Sequence, residues 1–245
     1  MGKIAKRQRR AVRNGLREAR LALATRTPAG LRRRLGPLAS WLDMLVMDHG
    51  IFRLAYSNTH KITPDAWRSA QPAPHNIRAF ARAGGRTVVN LRGMRVCGGQ
   101  WLEEAACRKA GLELVTYQLR SRAAPSRAEL HGVRDLLRRI EYPVLFHCKS
   151  GADRAGLMSV LFCHLHAGQP IEQARRQLSL RYGHIAQAET GIIDRFFDSY
   201  IAYNRATPTP FFTWVDEVYD PQAMEAAFKT RGWANAIVNR VLRRE

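Results

Sequence analysis

Acidic residues are scarce in this chain. Twenty Asp and Glu stand against forty Lys and Arg, a net charge of +20 over 245 residues. The shortage is sharpest at the start: residues 1–40 hold twelve basic side chains and one acid, Glu18, so +11 of the charge sits there. The rest of the chain carries +9, a field suited to an anionic substrate. Cysteine is sparse too. Cys97, Cys107, Cys148 and Cys163 form no Cys-x-x-Cys pair and show no metal-ligand spacing, so neither a disulfide framework nor a metal site is expected. That usage points to a reducing compartment and a cytoplasmic location. No run approaches the roughly 18 apolar residues of a membrane-crossing helix. No apolar stretch of about 7–15 residues follows the N-terminal charges, so a secretory signal is not expected. Nucleic acid is not an expected partner, because no binding motif with interleaved aromatics accompanies the charge. Internal repeats and long low-complexity tracts are missing as well.

What the chain does contain is concentrated in ten residues, His147-Cys148-Lys149-Ser150-Gly151-Ala152-Asp153-Arg154-Ala155-Gly156. The apolar run Pro143-Val144-Leu145-Phe146 before them reads as a buried strand, and Leu157 to Cys163 after them as a buried helix. Cysteine and arginine six positions apart therefore share a short strand-to-helix loop. Backbone amides of such a loop and the helix N-terminus favour an anion at one point. The same field favours the thiolate of Cys148. The planar fork of Arg154 can hold two oxygens of a phosphoryl group. Lys149, Ser150, Gly151, Ala152, Asp153 and Arg154 are the candidate phosphate-binding residues, with His147 as support. No cofactor is called for. The other three cysteines read as small buried hydrophobes.

This stretch resembles the His-Cys-x5-Arg signature of the cysteine-dependent phosphatases, the protein-tyrosine and dual-specificity superfamily. His147, Cys148, Gly151 and Arg154 carry the match. A rhodanese-like sulfur-transfer loop is the chemical competitor, but His147 and the spacing to Arg154 fit the phosphatases better. Residues 51–203 as a whole look like the bacterial dual-specificity-like branch, with Trp67 to Pro72 and Arg86 to Arg92 in support. The resemblance implies double displacement: Cys148 takes the phosphoryl group, and water then hydrolyses the phosphocysteine. It implies a phosphorylated protein, with phosphotyrosine or mixed phosphoresidues, or else a phospholipid head group, as substrate.

Two departures from the family pattern matter. Most relatives carry an aspartate on a separate loop as general acid, yet Tyr117 to Pro125 contains no carboxylate. Asp153, just before the arginine, is similar to the aspartate in myotubularin and Sac-type phosphoinositide phosphatases. That makes it a candidate catalytic acid, or a buttress for Arg154. Ala155 replaces the usual hydroxyl residue that assists the second step, so slow turnover or a phosphate-binding pseudophosphatase is the competing class. Arg68, Arg92, Arg120 and Arg122 could flank the pocket, although each alone reads as an exposed arginine.

Along the chain, a basic extension spans residues 1–40, a phosphatase-like domain 41–206, and a helical C-terminal extension docked on the core 207–245. The extension has a weak helical stripe (Ile4, Val12, Leu16, Ala19, Leu23) and reads as a solvated arm, a presequence or an element lying on an anionic membrane. The last reading would place the protein peripherally on the inner membrane face. A short apolar helix is expected at Leu38–Met47. Strands are expected at Ile51–Tyr56 and Ala66–Ala70 with Asn58–Pro64 turning between them, and further on at Thr87–Leu91, Leu112–Leu119 and from Pro143. Helices are expected at Pro74–Ala83, Trp101–Ala110, Arg127–Ile140 with a Ser126/Glu129 capping box, Pro170–Arg181 and up to about Asn204. Beyond Pro208/Pro210, Asp220-Pro221 starts a last helix whose apolar face is Trp233, Ile237 and Val241. The alternation predicts an α/β fold, a central, largely parallel sheet flanked by helices, with the Cys148 loop at the carboxyl end of a central strand.

Overall fold

The computed structural model describes residues 57–94 and 98–229. The basic extension, the expected elements at Leu38–Met47 and Ile51–Tyr56, Cys97, and the Trp233/Ile237/Val241 face all lie outside them.

The chain runs β1 (His60–Thr63), β2 (Ala66–Ser69), α1 (Pro74–Arg82), β3 (Thr87–Asn90), α2 (Gly98–Ala110), β4 (Glu113–Thr116), α3 (Arg127–Arg139), β5 (Val144–His147), α4 (Asp153–Leu165), α5 (Ile171–Ala174), α6 (Ile192–Ala206) and α7 (Phe211–Glu217). A further helical stretch, α8, covers residues 221–229. Five strands form one sheet in the order β1-β2-β5-β3-β4. β1 pairs antiparallel with β2, and all other pairings are parallel. The fold is thus the expected α/β architecture with a mostly parallel sheet.

β5 is buried along its whole length, as a central parallel strand covered on both faces must be. Its side chains alternate between two apolar cores. Leu145 joins Val88, Ile77, Phe80, Ala106 and Cys107 under α1 and α2. Val144 and Phe146 join Val89 and the inner faces of α3, α4, α6 and α7 on the other side. α4 is buried almost all round, from Ala155 through Cys163. A helix apolar on every face belongs in the interior, and this one packs against the central strand that feeds it.

Register positions the site. Ser69, His147 and Asn90 lie level across β2, β5 and β3. Everything that follows them, Ala70-Gln71, Cys148 and Leu91-Arg92, therefore emerges at one edge of the sheet.

Several elements differ from the expectations. The hairpin at the sheet edge is His60–Thr63 with Ala66–Ser69, turning at Pro64-Asp65 rather than through Asn58–Pro64. β1 is polar and half-buried because it is an edge strand, so it carries no periodic signal. The Pro170–Arg181 helix stops at Ala174 and continues as single 3₁₀ turns at Arg175–Gln177 and Leu180–Tyr182. The cause is tertiary: Arg68 draws in the Gln177 carbonyl oxygen at 2.6 Å. α7 lies within the expected helical extension 207–245, although no separate helix was assigned between Pro210 and Asp220. Its Phe211, Trp214 and Val215, with Tyr219, enter the main core. Tyr219 Oη donates to the Pro125 carbonyl oxygen at 2.8 Å, and Asp220 Oδ1 accepts from the amides of Gln222 and Ala223, capping α8. Among the described residues, no helix is long and apolar enough to cross a membrane.

Candidate active site

Between β5 and α4 the chain makes a five-residue loop, Cys148 to Ala152. The carbonyl oxygens of Lys149 to Ala152 are engaged from outside the loop. Gln71 N–H reaches the Lys149 oxygen at 3.4 Å. Asn58 Nδ2 donates to the Ser150 oxygen at 2.9 Å. Arg68 Nη2 donates to the Gly151 and Ala152 oxygens at 2.7 and 2.9 Å. A peptide unit points its N–H opposite its C=O. Tying the oxygens of 149–152 outward therefore turns the amides of Ser150, Gly151, Ala152 and Asp153 inward, and the first turn of α4 adds its own positive end. Ala152 N–H rests on Ser150 Oγ at 3.4 Å, a long contact that an incoming oxygen can replace.

Gly151 is required there on two counts. Its φ is +76°, and a Cβ would meet the backbone of Ala70 and Ser69 at 2.7 Å. Cys148 is buried within the loop, Lys149 and Ser150 are exposed, and Arg154 is half-buried. Arg154 Nη1 lies 3.4 Å from the Leu91 carbonyl oxygen, so its guanidinium sits across the carboxyl ends of β5 and β3.

Arg68 was read as a surface or pocket-flanking side chain, and the structure corrects this: it is fully buried behind the loop. Its guanidinium stacks 4.1 Å from the centroid of the Tyr182 ring. Burial pulls its pKa down to about 10, which leaves it charged at neutral pH. Arg92 is buried as well, bonded through Nη1 to Gln71 Oε1 at 2.8 Å. Arg120 and Arg122 sit on the surface in ion pairs with Glu129 and Glu189.

His147 lies against the Glu103 carboxylate, with both side chains fully enclosed. Glu103 Oε2 accepts from Asn90 Nδ2 at 2.9 Å. Glu103 was missed because an acid on a helix ordinarily reads as solvated. Its spacing to Ala106 and Cys107, on the buried face of α2, was the available signal.

Asp153, the first residue of α4, accepts from His184 Nδ1 at 2.8 Å. The opposite nitrogen, His184 Nε2, is 2.6 Å from Asp194 Oδ2. Arg175 approaches Asp194 at 3.4 Å and also pairs with Asp198. Burial alone would lower the His184 pKa, but the hydrogen bonds to Asp153 and Asp194 outweigh it and carry it up to about 9. Nothing in the sequence marked His184 or Asp194.

Among the described residues, the carboxylates that reach the acid-free stretch Tyr117–Pro125 are held by its own donors, Glu129 by Arg120, Glu189 by Arg122 and Glu225 by the Ala124 amide. Glu129 closes the expected capping box with Ser126. Burial raises its pKa, yet hydrogen bonds from Arg120 and Ser126 win and hold it below the ordinary value, so it stays ionised. Burial pushes the Cys107 and Cys163 thiols up to about 12 and 11, which makes both inert. Among the described residues, no group of three His, Cys, Asp or Glu is placed to hold a metal.

A family model described as DSP-PTPase phosphatase fused to NAD+ kinase matches residues 55–192. No curated protein matches the chain. Among solved structures, TpbA of P. aeruginosa is similar at 18% identity, over 71% of this chain and 91% of that one, with a TM-score of 0.48. A protein from Neisseria meningitidis described as a candidate phosphatase matches at 21% identity over 56% of this chain and 96% of that one, TM-score 0.43. PTPMT1 in complex with PI(5)P matches at 19% identity over 61% of this chain and 99% of that one, TM-score 0.43.

Proposed function

The chain belongs to the DSP-PTPase family of cysteine-dependent phosphatases, and from that premise we propose that it hydrolyses phosphomonoesters of phosphoproteins, phosphotyrosine included, through a phosphocysteine. The observation that carries this reading is the inward-turned loop. The oxygens of Lys149 to Ala152 are held from behind, so the amide donors around Cys148 are fixed before substrate arrives. Preorganised donors of this kind are worth several kcal/mol in a transition state because they need no reorientation.

In the first step the Cys148 thiolate attacks phosphorus. The loop amides and Arg154 hold the equatorial oxygens, and the leaving oxygen takes its proton by way of Asp153. In the second step water attacks phosphorus and the S–P bond breaks, returning the electron pair to Cys148. Asp153 takes up the water proton. Ala155 offers no hydroxyl to this step, which favours modest turnover.

The exposed Lys149 side chain at the loop supports a second reading, a phospholipid head group as substrate. With it goes a cytoplasmic protein held peripherally on the anionic inner face of a membrane by the basic residues 1–40. A kinetic screen of the full chain against phosphopeptides, phosphoinositides and an activated aryl phosphate decides between the two. Cys148→Ser is expected to abolish turnover on every substrate while still binding vanadate. Retained turnover would overturn the assignment, and vanadate binding by a wild-type chain that turns over nothing would mark a phosphate-binding pseudophosphatase.

A further inference from the structure

The mechanism leaves one buried ionisable group unused. His184 is 2% exposed and lies between two carboxylates contributed by two helices, Asp153 at the start of α4 and Asp194 in α6. The charged groups that bear on this cluster include those two acids on the ring, Arg175, which approaches Asp194 from the turn after α5, and Arg68, whose charge acts on Asp153 from behind the loop. Each ring nitrogen faces a carboxylate oxygen at hydrogen-bond distance, 2.8 and 2.6 Å. A neutral imidazole has one N–H and one lone pair, so it would turn that lone pair on one of the two acids. An imidazolium satisfies both.

We propose that His184 is a proton reservoir behind Asp153, a positioning residue that loads the phosphate loop's own acid in place of the aspartate missing from residues 117–125. The inference rests on the phosphatase reading and on Asp153 as the donor. In the first step the ester P–O bond breaks with its electron pair on the leaving oxygen, and the Sγ–P bond forms. The Nδ1 proton of His184 passes to the Asp153 carboxylate and from it to that oxygen, leaving a neutral imidazole still bonded to Asp194 through Nε2. In the second step attacking water gives its proton to Asp153 and back to Nδ1, and Cys148 recovers its thiolate. Imidazolium, aspartate and thiolate end as they began. A reservoir that loses its proton only near pH 9 stays loaded through neutral pH.

The test compares the full chain with His184→Gln on an activated ester, p-nitrophenyl phosphate, and a poor-leaving-group ester, an alkyl phosphate. A good leaving group departs without a proton, whereas a general acid is worth about 10²–10⁴-fold on a poor one. His184→Gln is expected to lower kcat on the alkyl ester by about 10²-fold and on the activated ester by only a few-fold. It should also remove the basic limb of the alkyl-ester pH profile near pH 9. Asp194→Asn keeps the ring and its bond to Asp153 but removes a carboxylate that holds the proton, so the limb should move to lower pH. This second variant carries the test if His184→Gln fails to fold. Equal losses on both esters, or an unmoved limb, would overturn the relay and leave His184 a brace, with the phosphatase reading intact. A wild-type chain that turns over neither ester would overturn the phosphatase reading, and the relay with it.

Discussion

Arg68→Met should separate the scaffold of the phosphate loop from its chemistry. The variant keeps an unbranched apolar stem and removes the guanidinium. Three carbonyl oxygens, those of Gly151, Ala152 and Gln177, then lose a donor, and of these only the Ala152 oxygen keeps another, the Gly156 amide. An unsatisfied buried polar group costs about 1–3 kcal/mol, so the two oxygens left without a donor cost about 2–6 kcal/mol. Against this stands the relief of no longer burying a charge. The fall of the Arg68 pKa from its ordinary value to about 10 corresponds to about 3 kcal/mol. The net destabilisation is therefore about 1 kcal/mol, or roughly 2–4 °C in melting temperature for a domain of this size. Urea denaturation with parallel thermal scans measures it. The functional effect should exceed the stability effect. With the loop oxygens released, the inward amides lose their fixed direction, and losing even one such donor costs about 10²–10³ in kcat. At a temperature where the variant is folded, kcat on p-nitrophenyl phosphate should fall at least about 10²-fold, with vanadate affinity falling alongside. Arg68→Lys keeps the charge but not the fork, so it should recover part of the stability and little of the activity. A folded Arg68→Met with kcat within twofold of wild type would refute the idea that the loop is aimed from behind.

Gly151→Ala puts a side chain at φ +76° with its Cβ 2.7 Å from the backbone of Ser69 and Ala70. The left-handed conformation alone costs about 1–2 kcal/mol, and the contact displaces the loop, so vanadate affinity read by calorimetry should drop about tenfold or more, the equivalent of about 1.4 kcal/mol. His184 links stability to pH: its folded pKa, about 9, lies above the ordinary 6.5. Its contribution, up to about 3 kcal/mol, is then fully present below pH 6.5 and lost as pH rises through 9. Urea midpoints between pH 6 and 10 should decline in the wild type more steeply than in His184→Gln, and parallel curves would contradict the pairing. Deleting residues 1–35 should weaken sedimentation with anionic vesicles at low salt, at about 1 kcal/mol for each basic residue near the surface. Equal binding by the shortened chain would remove the proposed membrane role.

The Cys148–Arg154 loop, its glycine, the strand before it and the helix after it were all legible in the sequence, because each depends on neighbours a few positions away. The same holds for the Ser126/Glu129 capping box and for the alternation that implied a mostly parallel sheet. Failures began where distant contacts decide. Pro170–Arg181 has the pattern of one helix, yet the Arg68 guanidinium, 109 positions away from Gln177, breaks it into short turns. Asn58 ties the Ser150 and Tyr182 carbonyl oxygens together from 92 and 124 positions away.

By itself, then, the sequence determined that Cys148 and Arg154, the proposed nucleophile and clamp, share one short loop between a buried strand and a buried helix. Local backbone geometry and the period of the apolar residues suffice for that. Only the tertiary structure decided that Arg68, Glu103 and His184 are interior side chains with partners. A charged residue reads as solvated until the fold brings up the groups that make its burial tolerable, and those groups come from elsewhere in the chain.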